Sequence, residues 1–202
     1  PVNDQTLRLR ISGNYPWQEQ VTVTIDSPQP VDHTLALRLP DWCSNPQVQL
    51  NGADVAQDIR KGYLHIQRRW QEGDTLTLTL PMPVRRVYGN SLLRHVAGKV
   101  AVQRGPLVYC LEQADNGEEL HNLWLSPDAQ FNVFEGKGIF AHKMLIQTQG
   151  VKHTTTDATL QPLWRYDQTP ASSTPQTLTF IPWFSWANRG EGEMRIWVNE
   201  ER

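Results

Sequence analysis

Histidine and cysteine are the side chains of this 202-residue chain that could bind zinc. A zinc site takes its ligands at short, paired spacings along the sequence. The chain has six histidines without such spacings, at positions His33, His65, His95, His121, His142 and His153. Its two cysteines, Cys43 and Cys110, are far apart and too few for a disulfide framework. We therefore predict no metal site and no cofactor in this chain, and we favour two buried free thiols over a disulfide.

Carboxylates are the next candidates, because acid–base hydrolysis of a glycoside needs a facing pair of them across a cleft. The acidic residues that could form such a pair are Asp41, Glu112, Asp115, Glu191 and Glu193. Most of them lie in turn-like contexts, where a solvated side chain or a turn cap is the ordinary role of an acidic residue. No serine lies in a Gly-x-Ser-x-Gly context, and Arg104-Gly105-Pro106 is typical of a turn. We predict no catalytic residues in this chain.

Aromatic side chains are the remaining candidates, since the chain has eight tryptophans. The faces of sugar rings pack on aromatic rings, so exposed tryptophans can form a glycan-binding platform. The densest cluster is Pro182–Gly190, where alternation turns either Trp183 or Phe184 away from the core. On this interpretation the ligand-binding residues are Trp183, Trp186, Asn188 and Arg189. A place in the core or at a domain interface is the commoner role of such residues, and we favour it.

Short strands must position these residues. Apolar and polar residues alternate with period two in the first half, at Thr6–Ser12, Val21–Ile25, Thr34–Leu39, Val48–Leu50, Tyr63–Ile66 and Thr75–Leu80. Leu7, Leu9 and Ile11 would then share one half-buried face. Glycine-containing turns separate the later strands, at Asn51-Gly52, Lys61-Gly62 and Glu72-Gly73-Asp74. No segment of this half keeps a helical apolar stripe, so we expect strands only.

Strand patterns continue in the second half, at Lys99–Arg104, Leu107–Glu112, His121–Leu125, Phe131–Phe134, Met144–Thr148, Thr177–Ile181 and Glu193–Val198. Asp115–Glu119 and Thr169–Gln176 have the composition of exposed loops. Pro81-Met82-Pro83 ends the first series of strands, because proline cannot donate to a strand ladder. The sequence thus predicts an all-β fold of two consecutive antiparallel β-sandwich domains, residues 1–92 and 93–202.

The composition favours a folded protein and excludes some partners. Hydrophobic residues make up 39% and charged residues 20% of the chain, with a mean hydropathy of −0.52. The net charge of −2 and pI of about 6.3 do not provide the basic surface that nucleic acids and anionic membranes require. No run approaches the roughly 20 apolar residues of a membrane span. The first residues lack a signal-peptide pattern, which predicts a cytoplasmic location or a fragment cut from a longer protein.

Several motifs, in this order, resemble the C-terminal part of the β-L-arabinofuranosidase family, glycoside hydrolase family 127. They are Asn14-Tyr15-Pro16-Trp17, Leu37–Trp42, Asn51-Gly52, Gly62-Tyr63, Arg69-Trp70, Gly73-Asp74, Val102–Tyr109, Ile181–Gly190 and Gly192–Trp197. The resemblance spans nearly the whole chain. It implies an N-terminal (α/α)6 catalytic barrel, absent here, that holds a cysteine nucleophile, a glutamate and a zinc ion.

The same resemblance implies a role for this chain. Neither Cys43 nor Cys110 lies in the family's catalytic motif, and a site of three thiolates cannot be built from two cysteines. We therefore expect a non-catalytic accessory region that supports the barrel of the same polypeptide and takes part in a homodimer. Arg104, Trp70 and Trp186 are the expected interface anchors. The alternative is a carbohydrate-binding module that contacts a glycan through the tryptophans of the cluster.

Overall fold

A computed structural model of the chain describes residues 6–56, 58–154 and 172–201. The chain divides into two compact units between Pro83 and Val84. In both units the described secondary structure is mostly strands, so the all-β class is confirmed. The first unit contains no described helix, as the sequence predicts.

The described residues of the first unit form eight strands in two sheets. They are β1 (Leu9–Gly13), β2 (Gln20–Ile25), β3 (Val31–Arg38), β4 (Gln47–Leu50), β5 (Ala53–Asp54), β6 (Ile59–Arg60), β7 (Tyr63–Trp70) and β8 (Thr75–Thr79). Five strands form a sheet in the order β1-β2-β8-β4-β5, and three form a second sheet in the order β3-β7-β6. Alternate residues of both sheets enter one core, in which Trp70 of β7 is fully buried.

Nine strands lie in the described part of the second unit. They are β9 (Val84–Tyr88), β10 (Lys99–Arg104), β11 (Leu107–Glu112), β12 (Leu123–Leu125), β13 (Asn132–Glu135), β14 (Met144–Thr154), β15 (Ser172–Pro182), β16 (Met194–Arg195) and β17 (Val198–Glu200). Their pairings run β10-β11-β15-β14-β12-β17 and return to β10, which closes a six-stranded barrel. The ring closes because β10 pairs with β11 at one end and with β17 at the other. The prediction of two sandwiches did not include this closure.

The barrel has an apolar interior. Side chains such as Val102, Tyr109, Ile146 and Phe180 are fully buried in its main core. A second, smaller core contains Cys110, Phe140, Leu145 and Ile181. Cys110 and Ile181 are cross-strand partners on β11 and β15. The second core therefore lies beside the end of β15, the strand that leads into the tryptophan-rich segment Pro182–Gly190.

The boundary lies nine residues earlier than the division at 92/93 that we predicted. The reason is β9, which the sequence analysis missed, since Val84–Tyr88 has two arginines at its centre. This strand pairs with β10 along the whole of its length, from Val84 opposite Arg104 to Tyr88 opposite Val100. It therefore belongs to the second unit.

Other strands follow the prediction more closely. β10 and β11 have the predicted bounds, and the three predicted glycine turns are present, with positive φ at Asn51, Lys61 and Gly73. β14 and β15 run longer than predicted, because Ser172–Gln176 pairs with Gly150–Thr154. That pairing places part of the predicted loop Thr169–Gln176 in a strand, while residues 169–171 lie outside the described residues.

Two local predictions were wrong. Leu9 and Ile11 are exposed rather than half-buried, because β1 is the edge of its sheet. The predicted loop Asp115–Glu119 begins inside a short helix, α1 (Gln113–Asn116), and Asn116 is buried. Its amide donates to the carbonyls of Glu112 and Thr179 and accepts from the N–H of Thr179, which joins α1 to β15.

Candidate functional site

Residues 183–190, here called the aromatic loop, follow directly after β15. Pro182 is the last residue of that strand, and a single turn of 3₁₀ helix covers Trp183–Ser185. The N–H of Trp186 donates to the carbonyl of Trp183 over 3.1 Å. Tight winding in this turn leaves three large rings partly in solvent: Trp183 is 50%, Phe184 55% and Trp186 40% exposed. Three rings within four residues are therefore about half exposed.

A partly buried ion cluster of Glu112, Asp115 and Arg189, here called the arginine cluster, holds the end of this loop. Arg189 donates from Nε to Oε2 of Glu112 over 2.9 Å and from Nη1 to Oδ1 of Asp115 over 2.7 Å. Its Nη2 donates to both carboxylates. All three guanidinium nitrogens are therefore engaged, in the forked geometry that makes arginine–carboxylate pairs strong.

The opposite charges in this cluster stabilise one another. The hydrogen bonds from Arg189 to Asp115, and then those to Glu112, raise the pKa of the guanidinium against the opposing effect of burial. The side chain of Glu112 is only 5% exposed, and its ion pair with Arg189 compensates for the loss of solvation on burial. Arg189 also lies over the ring of Phe140, with Cζ 4.8 Å from the ring centroid. The arginine thus links β11, α1 and the small core to the loop.

Glu112 also fixes the backbone of the loop. Its Oε1 accepts a hydrogen bond from the N–H of Ala187 over 3.0 Å. Ala187 has a φ of 64°, in the left-handed region that costs a residue with a Cβ roughly 1–2 kcal/mol. The bond to a buried carboxylate offsets this cost. Asn188 closes the turn, since its Nδ2 donates to the carbonyl of Ser185 over 3.0 Å.

Lys143 supports the other side of the loop. Its Nζ donates to Oγ of the buried Ser185 over 3.3 Å and to the carbonyl of Ile139 over 3.2 Å. The same ammonium lies 5.8 Å from the ring centroid of Phe184 and 5.7 Å from that of Phe140. The loop is therefore held from two directions, by a lysine and by the arginine cluster.

The four ligand-binding candidates from the sequence separate into two groups. Trp183 and Trp186 expose their rings, as a platform requires. Asn188 and Arg189 direct their polar groups into the loop and the cluster, where they position the backbone. The sequence did not identify Glu112 and Asp115 as partners of Arg189, because 77 and 74 residues separate them along the chain.

The other acidic candidates do not form a pair of facing carboxylates. Glu193 accepts hydrogen bonds from the N–H groups of Glu119 and Leu120 and so begins the 3₁₀ helix Leu120–Asn122. Asp41 belongs to the first unit, where its exposed side chain lies 3.9 Å from Arg38. Glu191 is exposed beside Trp186, at the edge of a shallow groove.

Of the expected interface anchors, only Trp186 lies on a surface. Trp70 is fully buried and donates from Nε1 to the carbonyl of His33 over 2.9 Å. Arg104 is buried within the second unit. The prediction for these two residues was wrong, because each side chain is buried within its own unit.

The cysteines are free and buried, as predicted. Burial, together with the negative charges of Glu112 and Asp115, raises the pKa of the Cys110 thiol to about 12. A thiol that stays protonated is neither a nucleophile nor a metal ligand at neutral pH. Within the ranges that the structure describes, no three histidine, cysteine or acidic residues come together to hold a metal ion.

Comparison with known proteins adds two family matches. Residues 1–82 match the "Beta-L-arabinofuranosidase, GH127 middle domain", and residues 84–199 match the "Glycoside hydrolase family 127 C-terminal domain". These ranges meet at the boundary between the two units.

No helix among the residues with a described position is long and apolar enough to cross a membrane.

Individual relatives give the same result. The chain is 34% identical, over 94% of its length, to a non-reducing end β-L-arabinofuranosidase from Bifidobacterium longum subsp. longum, and it covers 30% of that protein. A crystal structure of a GH127 β-L-arabinofuranosidase from Geobacillus stearothermophilus T6 superposes with a TM-score of 0.90 at 37% identity, over 99% of this chain and 31% of that one. A GH127 β-arabinofuranosidase has a TM-score of 0.88 at 29% identity, over 99% of this chain and 32% of that one. The chain thus spans about a third of the length of these relatives.

Proposed function

The chain belongs to glycoside hydrolase family 127, and from that membership we propose that it is the non-catalytic C-terminal region of a β-L-arabinofuranosidase-like enzyme. In this role it supports a catalytic (α/α)6 barrel in the same polypeptide, where the zinc and the nucleophile of the family would lie. We assign to the first unit, with its two sheets around one core, the sandwich architecture expected from the sequence. The homodimer and the cytoplasmic location stay predictions.

The observation that carries this proposal is the internal use of the arginine cluster and of Cys110. Glu112 and Asp115 are both bonded to Arg189, and Glu112 is almost completely buried. Cys110 is buried with its thiol protonated. These groups stabilise the second unit and present no reactive atom to a substrate. A structural role therefore accounts for them without a reaction.

A carbohydrate-binding module is the second candidate function, and the half-exposed rings of Trp183 and Trp186 are the observation that favours it. A glycan site also needs polar side chains that can hydrogen bond to sugar hydroxyls beside the ring. In the aromatic loop, Asn188 and Arg189 are already bonded within the protein. We therefore rank this function second.

The test is an assay of the purified 202-residue chain with an aryl β-L-arabinofuranoside. We expect no release of aryl alcohol above the blank, with or without added zinc. Turnover that survives repeated purification and disappears on unfolding would overturn the proposal. Calorimetric titration with arabino-oligosaccharides at millimolar concentration tests the second candidate, and saturable heat that is lost in the Trp186→Ala variant would establish it.

A further inference from the structure

The chain contains two Asn-Gly pairs, Asn51-Gly52 in the first unit and Asn116-Gly117 in the second. Asparagine before glycine is especially liable to spontaneous deamidation, because glycine has no Cβ to hinder attack by its backbone nitrogen. That nitrogen bonds to Cγ of the asparagine, and its proton leaves with the side-chain NH2 group as ammonia. Water then opens the cyclic imide to aspartate, or to isoaspartate, in which the main chain runs through the side chain. Each pair is therefore a modification site that needs only water.

The fold binds the side-chain amide of Asn51 at both ends. Its Nδ2 donates to Oδ1 of Asp74 over 2.8 Å, and its Oδ1 accepts from the N–H of Thr75 over 2.8 Å. The imide forms only when Cγ of Asn51 turns towards the nitrogen of Gly52. The amide cannot turn in this way without breaking the bonds to Asp74 and Thr75. We therefore expect deamidation of Asn51 to require opening of the turn.

The Asn51-Gly52 turn lies in a part of the first unit that can open locally. It connects β4 to β5, and β5 is a two-residue strand at the edge of its sheet. Both residues of the turn are exposed. Exposed elements with few buried contacts open at a lower cost in free energy than the core of a protein does. Hydrogen bonds, and not burial, therefore protect Asn51.

Asn116 is held more firmly and serves as the matched control within the chain. This residue is 3% exposed, at the end of α1. Its Nδ2 donates to the carbonyls of Glu112 and Thr179, each over 2.9 Å, and its Oδ1 accepts from the N–H of Thr179 over 2.8 Å. Glu112 and Thr179 belong to β11 and β15, which pair in the barrel. Freeing the amide of Asn116 therefore requires α1 to separate from the barrel.

Deamidation of Asn51 would oppose the folded state of the first unit. The carboxylate of Asp74 is only 8% exposed, and its Oδ1 accepts from the amide of Asn51. An aspartate at position 51 has no proton to donate there, and it brings a second negative charge within hydrogen-bonding distance of Asp74. An isoaspartate lengthens the backbone of a two-residue turn and so disturbs the pairing of Leu50 with Ala53. Both products should therefore destabilise the first unit.

We propose that Asn51 is a site of spontaneous deamidation whose rate is controlled by opening of its turn, whereas Asn116 reacts only when the second unit unfolds. The reaction is irreversible, because the ammonia is lost. It thus converts a brief opening of the turn into a permanent loss of stability in the first unit.

Peptide mapping by mass spectrometry measures both rates in the 202-residue chain, incubated at mildly alkaline pH with and without an unfolding concentration of urea. In urea the two asparagines should react at rates within about threefold of each other, because both precede glycine in an unfolded chain. In the folded chain, Asn51 should react at least about tenfold more slowly than in urea, and Asn116 at least about tenfold more slowly than Asn51. Equal rates for Asn51 with and without urea would overturn the proposal, and so would equal rates for Asn51 and Asn116 in the folded chain.

Variants test the consequence of the reaction. Asn51→Asp should lower the urea midpoint of the first unit at pH 7 by about 0.5–1 M, because it removes a hydrogen bond to a buried carboxylate and adds a like charge. Adding Asp74→Asn should restore most of the midpoint, since donor and acceptor are then exchanged across the same contact. Asn90→Asp is the control, because its exposed side chain only accepts, from the N–H of Leu92, and should leave the midpoints unchanged. An unchanged midpoint in Asn51→Asp would contradict the loss of stability.

Discussion

Replacing Arg189 with methionine tests whether the arginine cluster holds the second unit together. Methionine keeps much of the side-chain volume but removes the charge and the hydrogen bonds to Glu112 and Asp115. Asp115 is 21% exposed and can be solvated by water in the variant, whereas Glu112 is 5% exposed and cannot. Removing one partner of a buried ion pair costs about 3–5 kcal/mol. Because Glu112 keeps its bond from Ala187, we place the loss at the lower end, about 3 kcal/mol.

Urea unfolding followed by tryptophan fluorescence measures this loss, and a thermal scan should show a Tm lower by about 10 °C for a unit of this size. The double variant Glu112→Gln with Arg189→Met should regain most of the stability, because glutamine can still accept from Ala187 without a buried charge. Glu135→Gln is the control, since its exposed pair with His142 should contribute less than about 0.5 kcal/mol.

The stability difference between the protein and Arg189→Met is measured at pH 7. A stability difference under about 0.5 kcal/mol at pH 7, the range of ordinary surface substitutions, would refute the role of the cluster. So would a loss of stability in Arg189→Met that the added Glu112→Gln substitution leaves unchanged.

Three further predictions concern buried groups. Trp70→Phe should destabilise the first unit by about 2–3 kcal/mol in urea unfolding, because it removes the hydrogen bond to the carbonyl of His33 and leaves a cavity; a loss under 0.5 kcal/mol would contradict this. Cys110 should resist thiol reagents at pH 8 until denaturant is added, since its pKa is about 12, and stoichiometric labelling of the native thiol would disprove its burial. Burial raises the pKa of Asp74, but hydrogen bonds, from Asn51 above all, lower it by more, so its contribution to stability should be lost as the pH falls through its folded pKa. Asp74→Asn should accordingly lower stability at pH 7 by an amount that shrinks towards pH 3; a constant difference would argue against the ionised form as the stabilising one.

Much of this fold could be predicted from local sequence. The strands with strict alternation and the turns at Asn51-Gly52 and Lys61-Gly62 were predicted correctly, because period-two patterning and left-handed turn positions are local properties. β9 was missed because Arg85 and Arg86 interrupt its apolar pattern. In the structure, Arg86 pairs with Glu200, a residue 114 positions away. Closure of the barrel likewise depends on the distant pairing of β10 with β17, which no local pattern contains.

The candidate site shows the same limit. Alternation predicts that one of Trp183 and Phe184 faces away from the core, but both are about half exposed, because a 3₁₀ turn follows Pro182 instead of a strand. The roles of Asn188 and Arg189 could not be predicted, since Arg189 meets its carboxylate partners across more than seventy residues of sequence. From the sequence alone, a polar residue close to a tryptophan is interpreted as a contact to a ligand. The fold instead uses those polar groups to hold the backbone of the loop.

Deletion of residues 1–202 of this chain from the full gene product tests most directly whether the region supports a catalytic barrel. Arabinofuranoside hydrolysis and Tm are measured for the intact and the truncated polypeptide under the same conditions. We predict that the truncated polypeptide loses thermal stability and most of its activity, and that the isolated chain has no activity of its own. A truncated polypeptide that is as active and as stable as the intact one would contradict the proposed supporting role.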